Sequence, residues 1–436
     1  MTQRMIVSVL SFDTSTVPEY SFAVISIPKE EPLELVAPAG NTEKLRYAFL
    51  YGADAVYMGI RSFSLRARAE NLRDDEQDLV RRIKAGRRLF GALNISFHQA
   101  DLRELERRIE EIASYPFDAL IVSDIGAVPL LRRHLPDMPL HLSTQANCVN
   151  AEAARMYRDM GFRRIVPGRE LSLREMEEIR SRVDVELEVF VHGAMCLAYS
   201  GRCFLSRYMA GRSANRGDCA HSCRWRYRVL EECERVLEEA ERPGEYFPVV
   251  EGDGFTTLLS SRDLCLIDHL DRLRSAGVDA LKIEGRMKSV YYTALVTRAY
   301  RKALDHLEGR SADPPEPYRD DMLKVSHREL STGFLFGREQ IESPTEREYV
   351  RSTIFLGTVE EQIDERTFRI EVKNRIGAGD TLEYVGFDVV CIGDSGFRLL
   401  DEEMRKVDWV NHGTVCYLRT DRPIKEGYII RRSASG

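Results

Sequence analysis

The sequence predicts an α/β fold, a TIM-type (β/α)8 barrel with a cysteine-rich insertion, followed by a small all-β domain. Residues 33–310 alternate short apolar runs with amphipathic runs, and residues after 346 form short β-branched runs separated by turn residues. Eight strand and helix units over about 275 residues match this barrel in count and length. A doubly wound open sheet is the alternative, but such a sheet rarely repeats eight times without an antiparallel edge strand.

The elements follow in chain order. The apolar runs predict eight parallel strands at 33–37, 55–60, 91–96, 119–124, 140–145, 164–169, 187–192 and 279–284. The amphipathic runs between them predict helices at 42–51, 102–114, 151–160, 173–180, 264–275 and 290–307. The insertion therefore lies between the seventh and eighth strands.

The remaining segments flank the barrel. Residues 1–32 are predicted to be an N-terminal extension with weak strand character, and the Pro-rich run 311–317 predicts a linker inside a connecting segment, 311–345. Residues 346–436 predict a small β-barrel-like domain. Its strand candidates are 354–359, 367–372, 381–385, 389–392 and 415–418.

Composition limits the functional classes. The net charge of −7, from 63 basic and 70 acidic residues, provides no polycationic field, so any nucleic-acid site must be local. No apolar run reaches the roughly 18 residues of a spanning helix, and the run after Arg4 is too short for a signal peptide. Nine cysteines are too few for a secreted disulfide scaffold. We expect a cytoplasmic protein with no membrane partner.

The predicted C-terminal strand ends are unusually polar. Barrel enzymes build their sites at these ends, and here Arg169, His192, Glu284 and Arg286 are expected to converge on one mouth. Such a ring favours a site for an anionic or polar small molecule. Any one of these polar residues, taken singly, could instead have a plain structural role such as capping a helix.

Four cysteines lie in the loop 193–228, which is expected to sit over the barrel mouth. Cys196, Cys203, Cys219 and Cys223 have the spacing C-x6-C-x15-C-x3-C. Four thiolates can hold tetrahedral zinc or an iron–sulfur cluster, and this spacing does not choose between them. Four unrelated buried thiols are a poor explanation for such a cluster.

The same loop mixes arginines with aromatic residues. The arginines are Arg202, Arg207, Arg212, Arg216, Arg224, Arg226 and Arg228, and the aromatics are Tyr199, Phe204, Tyr208, Trp225 and Tyr227. This mixture suits phosphate contact with base stacking, and Arg224, Trp225 and Arg226 are the RNA-binding candidates. The arginines could equally offset thiolate charge and pair with acidic residues. Neither a phosphate-binding P-loop nor an H-E-x-x-H motif is present.

Long motifs in the chain resemble peptidase family U32. The insertion carries EVFVHGAMCLAYSGRC at 188–203, SANRGDC at 213–219 and CRWRY at 223–227. The barrel carries LVAPAGN at 35–41, GADAVYMG at 52–59, STQAN at 143–147, Arg169-Glu170 and KIEGRMK at 282–288. The resemblance covers residues 33–337, and the β domain is similar to the C-terminal module of the family.

The resemblance implies an activity that differs from the one in the family's name. Better-understood members are oxygen-independent hydroxylation proteins with a 4Fe–4S cluster on four cysteines, here Cys196, Cys203, Cys219 and Cys223. The chain is most similar to the branch that makes 5-hydroxyuridine at the wobble position of tRNA, for which prephenate is the implied hydroxyl source. The expected partners are tRNA and a small dicarboxylate. The alternatives are a peptidase acting on collagen-like chains, a hydroxylase of ribosomal RNA and a non-catalytic RNA-binding protein.

The resemblance also suggests roles for residues at the mouth. Arg169 and Arg286 could fork onto the carboxylates of prephenate. His192 and Glu284 are candidates for proton transfer, and Gln145 is a candidate for orienting substrate. Glu170 and Lys282 complete the substrate-binding candidates.

Overall fold

The computed structural model describes residues 32–65, 76–196, 198–224, 236–238, 246–248, 250–252, 255–257, 261–337, 350 and 352–434. The predicted strand character before residue 32 lies outside these residues, as do Trp225, Arg226 and the side chain of Arg224. Among the residues described, no helix is both long and apolar enough to cross a membrane.

Eight parallel strands close into the predicted barrel. The first seven are β1 Glu34–Ala39, β2 Ala55–Gly59, β3 Arg88–Leu93, β4 Ala119–Val122, β5 Leu140–Leu142, β6 Phe162–Ile165 and β7 Glu186–Ala194. The insertion contributes β8 Val236–Glu238, β9 Tyr246–Pro248, β10 Val250–Gly252, β11 Phe255–Thr257 and β12 Asp263–Cys265, after which comes β13 Ala280–Ile283. Because β13 pairs in parallel with both β7 and β1, the ring is closed and the barrel prediction is confirmed.

Several strand ends differ from the prediction. Strand β5 ends at Leu142 because Ser143 turns the chain, its Oγ accepting a hydrogen bond from the Gln145 amide at 3.3 Å. Strand β6 ends at Ile165, shortly before Pro167, which has no amide hydrogen to donate to a ladder. The polar residues that follow therefore lie in loops at the mouth rather than in the sheet.

Helices cover the outside of the barrel. They are α1 Thr42–Leu50, α2 Gln77–Lys84, α3 Gln99–Arg107, α4 Ile109–Ser114, α5 Val128–His134, α6 Ala151–Asp159, α7 Leu173–Arg182, α9 Leu270–Ser275 and α10 Val290–Leu307. A further helix, α8 Leu205–Ala210, belongs to the insertion. Side-chain caps fix several starts: Asn41 accepts from the Lys44 amide at 2.9 Å, and Asn150 accepts from the Ala153 amide at 2.9 Å.

The helix predictions succeed unevenly. The predicted helix 290–307 coincides with α10. Helices α2 and α5 were not predicted; each is short, α2 burying only Val80 and α5 only Val128 and Leu131. The predicted helix 264–275 is wrong at its start. Residues Asp263–Cys265 instead form β12, which pairs antiparallel with β7, and the α-helix begins only at Leu270.

The barrel interior contains an apolar layer and a buried ion network. The apolar layer consists of Val36, Ala55, Tyr57, Phe90, Ala92, Ala119, Ile121 and Ala280. In the network, Arg164 Nη1 lies 2.7 Å from a Glu34 carboxylate oxygen and 2.9 Å from one of Glu188. The other Glu188 oxygen pairs with Lys282 Nζ.

This network holds Glu188 in its charged form. Burial alone would raise the pKa of this fully buried carboxyl group, but Lys282 and Arg164 outweigh burial and lower the pKa to about 2. The positive charge of Lys282, next to the mouth, is therefore balanced by the carboxylate of Glu188 inside the barrel.

The C-terminal domain is all-β, as predicted. The connecting segment before it contains α11 Glu316–Met322 and β14 Leu330–Ser331, and β14 pairs with β12. The domain's strands are β15 Thr353–Gln362, β16 Thr367–Val372, β17 Ile376–Gly377, β18 Leu382–Val385, β19 Ile392–Asp394, β20 Arg398–Leu400, β21 Lys406–Val407, β22 Trp409–Val410, β23 Val415–Arg419 and β24 Ile429–Ser433. Its main sheet has the order β19-β18-β24-β15-β16-β23-β20-β21.

One predicted strand of this domain is displaced, and strands β17, β20, β21, β22 and β24 were not predicted. The strand predicted at 389–392 begins only at Ile392, as β19, because the carbonyls of Val389 and Val390 accept hydrogen bonds from Arg298 Nη1 at 2.8 and 3.2 Å instead of joining a ladder. Strand β24 was missed because its arginines resemble an exposed segment. Arg431 is in fact fully buried.

A buried ion cluster joins the barrel helices to this domain. Asp321 on α11 accepts from Arg298 Nη2 and from Arg431 Nη2, each at 2.5 Å, and all three side chains are at most 1% exposed. Arg431 also donates to Tyr291 Oη at 3.0 Å. Asp321 thus pairs with two buried guanidinium groups from two parts of the chain, and Glu383 is a second acidic partner of Arg431 at 2.8 Å.

We expect Asp321→Asn to lower the free energy of unfolding by about 3–5 kcal/mol, because it removes the carboxylate paired with the buried Arg298 and leaves the buried Arg431 with Glu383 as its acidic partner. Urea denaturation followed by circular dichroism measures the loss. The matched control is Asp320→Asn at the neighbouring exposed position, which should have little effect. Equal stabilities of the two variants would contradict this account of the cluster.

Candidate functional site

A cavity of about 500 Å³ lies at the C-terminal end of the barrel, beneath the loop that follows β7. It is lined by strand-end residues and by loop residues together. Of the predicted site residues, those that line it are Gln145, Arg169, Glu170, Cys196, Cys203, Cys219, Cys223, Lys282, Glu284 and Arg286. The structure therefore brings together nearly all the described candidates.

Two glycines let the loop backbone approach the barrel. Gly201 has φ +74°, and a Cβ placed there would lie 2.0 Å from the carbonyl oxygen of Gln145. Gly217 has φ +89°, and a Cβ would lie 2.6 Å from the carbonyl oxygen of Ser64. Any side chain at either position would push the loop off the mouth.

Polar contacts fasten the same loop. The Ser200 amide donates to Glu170 Oε1 at 2.7 Å, so this predicted substrate-binding carboxylate holds the loop. The Ser96 amide donates to the Asn215 carbonyl at 3.0 Å. These contacts fasten the loop to the barrel at two points, so that it forms one wall of the cavity.

Two of the loop arginines serve the structure. Arg212 pairs with Asp218 at 2.8 Å, and Arg216 pairs with Asp101 at 2.8 Å. For these two residues the charge-pairing interpretation is confirmed. Arg202 is exposed, and its side chain makes no ion pair or hydrogen bond within the described residues.

The four clustered cysteines all face the same cavity, and none of the described cysteines is in a disulfide. The Cys219 sulfur accepts a hydrogen bond from the His221 amide at 3.4 Å. Cys148 and Cys416 are different, because they lie outside the cavity and burial raises the pKa of each thiol to about 11.

As donors, four thiols around one cavity suit zinc or an iron–sulfur cluster. Within the described residues, however, no three His, Cys, Asp or Glu side chains stand close enough together to hold a metal ion. The donor set therefore fits such a group, while its binding requires the loop to draw the thiols together.

Arg169 is fixed by the protein itself. Its Nη1 donates to the Ala194 carbonyl at 2.6 Å, its Nη2 lies 3.5 Å from Glu284 Oε2, and its guanidinium lies 3.9 Å from the centre of the Phe190 ring. Its Nε is buried and finds no hydrogen-bond acceptor in the described part of the chain. The predicted fork onto a ligand carboxylate would therefore have to displace one of these contacts.

Lys282 and Arg286 contribute two further positive charges to the cavity. Lys282 Nζ lies 4.2 Å from the centre of the Tyr57 ring and pairs with Glu188 behind it. Arg286 is 3% exposed and donates through Nη1 to Ser64 Oγ. With Arg169 they give the cavity three cationic groups against the carboxylates of Glu170 and Glu284.

The structure corrects the prediction for His192, which is absent from the described residues that line the cavity. A register shift in the pairing of β7 with β13 matches Lys282 to Phe190 but Ile283 to His192. Since paired residues share a face and Lys282 points into the barrel, His192 turns to the outer face. There its Nδ1 lies 3.4 Å from Tyr300 Oη on α10.

His192 is consequently a poor candidate for proton transfer. Burial lowers its pKa to about 3 even though the carboxylate of Asp263 acts in the opposite direction. The ring is neutral near pH 7 and is separated from the cavity. Glu284 is the proton-transfer candidate that the structure keeps at the mouth.

The sequence interpretation overlooked two residues that shape the site. Glu188 pairs with Lys282, and Tyr57 presents its ring to Lys282. One signal was available, because Glu188 and Lys282 each lie between two apolar residues of a barrel strand. Such charges are seldom buried unless they are paired.

Fold and site together define a (β/α)8-barrel protein with a cysteine-lined cavity at its mouth and an appended all-β domain. The sequence model of peptidase family U32 matches residues 40–345, and that of the U32 C-terminal domain matches residues 351–431. The chain belongs to peptidase family U32.

Curated relatives extend the comparison. The chain is 38% identical over 392 residues to tRNA hydroxylation protein P of Escherichia coli K12, covering 80% of this chain and 85% of the relative. It is 32% identical over 412 residues to tRNA hydroxylation protein P1 of Bacillus subtilis 168, covering 92% and 94%. It is 38% identical over 274 residues to the 23S rRNA 5-hydroxycytidine C2501 synthase of E. coli K12, covering 63% and 39%.

The buried neutral state of His192 predicts a pH effect on stability. Its pKa is about 3 in the folded protein against an ordinary value of 6.5, so between these values the unfolded chain binds more protons. The contribution of the neutral His192 ring to the free energy of unfolding is fully present above pH 6.5 and is lost as the pH drops toward 3. We expect His192→Asn to reduce this slope by up to about 1.4 kcal/mol per pH unit.

Urea denaturation between pH 7 and pH 5 measures this slope. The exposed His306 offers the matched control, since His306→Asn should leave the slope unchanged. Identical slopes for the His192 variant and the wild type would show that the ring is not held neutral by burial.

Proposed function

We propose that this protein is an RNA hydroxylase that forms 5-hydroxyuridine at the wobble position of tRNA, using a 4Fe–4S cluster and a dicarboxylate, prephenate, as hydroxyl source. One observation carries the proposal: the four thiols of the insertion and the polar strand ends of the barrel line the same cavity. Two relatives that match most of the chain are named as tRNA hydroxylation proteins.

In this proposal Cys196, Cys203, Cys219 and Cys223 hold the cluster. All four line the cavity and none is in a disulfide, which leaves their sulfurs available as ligands. When bound, such a cluster would supply one-electron redox chemistry next to the substrate. The barrel wall opposite the thiols would position the base and the co-substrate.

The co-substrate proposal rests on the charges of the cavity. Replacing the C5 hydrogen of uridine by hydroxyl removes two electrons from the base. The balanced exchange is R–OH plus base–H giving R–H plus base–OH, so the hydroxyl donor is reduced by the same two electrons. Arg169, Lys282 and Arg286 place three cationic side chains in the cavity wall, which favours an anionic donor such as a dicarboxylate.

The strand-end residues then have distinct roles. Arg286, buried and hydrogen-bonded to Ser64, would bind a co-substrate carboxylate. Glu284, oriented by Arg169, is the carboxylate proposed to accept the proton released from C5. Gln145 can hydrogen-bond the base through both its amide nitrogen and its oxygen.

Ribosomal RNA is the second candidate substrate, because one relative is named as a synthase of 5-hydroxycytidine in 23S rRNA. This chain covers only 39% of that relative, whereas it covers 94% of the tRNA hydroxylation protein of B. subtilis. The length of the match therefore favours tRNA.

A deletion strain tests the proposal. We expect tRNA nucleosides from cells lacking this gene and any paralogue to contain no 5-hydroxyuridine by mass spectrometry. The wild-type gene should restore the nucleoside, and Cys203→Ser should not, because a serine hydroxyl is a poor ligand for iron. The matched control is Cys391→Ser, since Cys391 is exposed outside the cavity.

Iron analysis of the purified variants accompanies the complementation. Wild type and the Cys391 variant should contain about four irons per chain, and the Cys203 variant should lose them. Stoichiometric zinc without iron in anaerobically prepared protein would contradict the cluster. 5-Hydroxycytidine missing from 23S rRNA digests, with 5-hydroxyuridine unchanged in tRNA, would make ribosomal RNA the substrate instead of tRNA. Cleavage of gelatin by the cysteine variants, with normal RNA nucleosides, would replace hydroxylation by proteolysis.

A further inference from the structure

Three exposed aromatic side chains lie on the loop that covers the cavity, and we call them the aromatic rim: Tyr199, Phe204 and Tyr208. They are 56%, 73% and 84% exposed. Tyr199 and Phe204 also line the cavity itself. Single exposed apolar residues are common on proteins, but large rings gathered at the entrance of a site are typical of a binding surface.

Helix α8 holds the rim in place. Ser206 is 1% exposed, and its hydroxyl donates to the Arg212 carbonyl at 2.8 Å and accepts from the Ala220 amide at 2.8 Å. Phe204 and Tyr208 are four residues apart, and the Tyr208 amide donates to the Phe204 carbonyl at 3.0 Å. The two rings therefore lie on one helix face, about 6 Å apart along the axis, with the buried Ser206 on the opposite face.

Charge indicates what the rim binds. Arg202 lies between Tyr199 and Phe204 in the chain, is exposed, and makes no side-chain ion pair or hydrogen bond within the described residues. Two other arginines of this loop are already paired with carboxylates. Flat rings and an exposed guanidinium on the same loop suit unpaired nucleotides, because every base has a face that stacks and every phosphate is an anion.

We infer that the aromatic rim stacks on the nucleotides that flank the modified base, so that the substrate is a single-stranded RNA loop with its target base turned out into the cavity. This inference rests on the proposed function, since it names how the RNA is held at the same site. A base in a duplex cannot reach the cavity without leaving its stack, and ring faces at the mouth replace part of the lost stacking.

Fluorescence anisotropy of the cluster-loaded protein with a labelled RNA hairpin, whose loop carries the target uridine, tests this inference. The double variant Phe204→Ala, Tyr208→Ala should bind the hairpin about 5- to 100-fold more weakly, with an unchanged salt dependence because stacking involves no counterion release. Arg202→Gln should instead lower the slope of log K against log salt by about 0.7.

Two controls accompany these variants. The conservative pair Phe204→Trp, Tyr208→Phe should keep the wild-type affinity, because both rings remain. Trp409→Ala, at an exposed ring on β22 of the C-terminal domain, should also leave binding unchanged. A hairpin with 2-aminopurine beside the uridine should show fluorescence quenching by the wild type that the double alanine variant loses.

Several outcomes would overturn the inference. Suppose that the wild type and the double alanine variant bind the hairpin equally well and the wild type still hydroxylates RNA. This result would contradict the role of the aromatic rim in RNA binding but would not affect the proposed function. An effect on molar mass by light scattering, without an effect on RNA affinity, would make the rim an interface between copies of this chain. Absence of both RNA binding and hydroxylation by the wild type would contradict the proposed function itself.

Discussion

The contact between the Gly201 backbone and the Gln145 carbonyl is the constraint on which the site depends. The barrel provides polar strand ends and the insertion provides thiols, but they form one cavity only because the loop backbone rests directly on the mouth. A Cβ at residue 201 would lie 2.0 Å from that carbonyl oxygen, so glycine is required there. The hydrogen bond from the Ser200 amide to Glu170 fastens the loop at the same point. Glu170, which the sequence suggested for substrate binding, therefore holds the loop.

Charges inside the barrel set the electrostatics of this cavity before any ligand arrives. Lys282 is buried, and it stays compatible with an apolar interior because Glu188 and Arg164 continue the ion network below it. Moving such charges out of water is costly unless each has a partner. The network therefore keeps a cation at the cavity wall, while Arg169 is oriented by Glu284 and the Ala194 carbonyl.

Much of this architecture could be predicted from periodicity and spacing, because eight strand and helix repeats and four clustered cysteines are local patterns. The errors arise where a contact between residues distant in sequence determines which way a side chain faces or whether it is buried. His192 follows the inward alternation of its strand until a register shift opposite Ile283 turns it outward. Arg431 resembles a surface residue in the sequence. It is buried in the structure because it pairs with Asp321, which is distant in sequence. Neither event leaves a local signal in the sequence.

The central claim is that thiols and strand ends in one cavity carry out RNA hydroxylation. The most direct measurement incubates anaerobically prepared, cluster-loaded protein with unmodified tRNA transcript and prephenate carrying 18O in its hydroxyl group, followed by mass spectrometry of the nucleosides. The account predicts 5-hydroxyuridine that contains 18O, and none when the four cavity cysteines are replaced by serine. Unmodified uridine from the loaded protein, or unlabelled product formed equally by the serine variant, would contradict it.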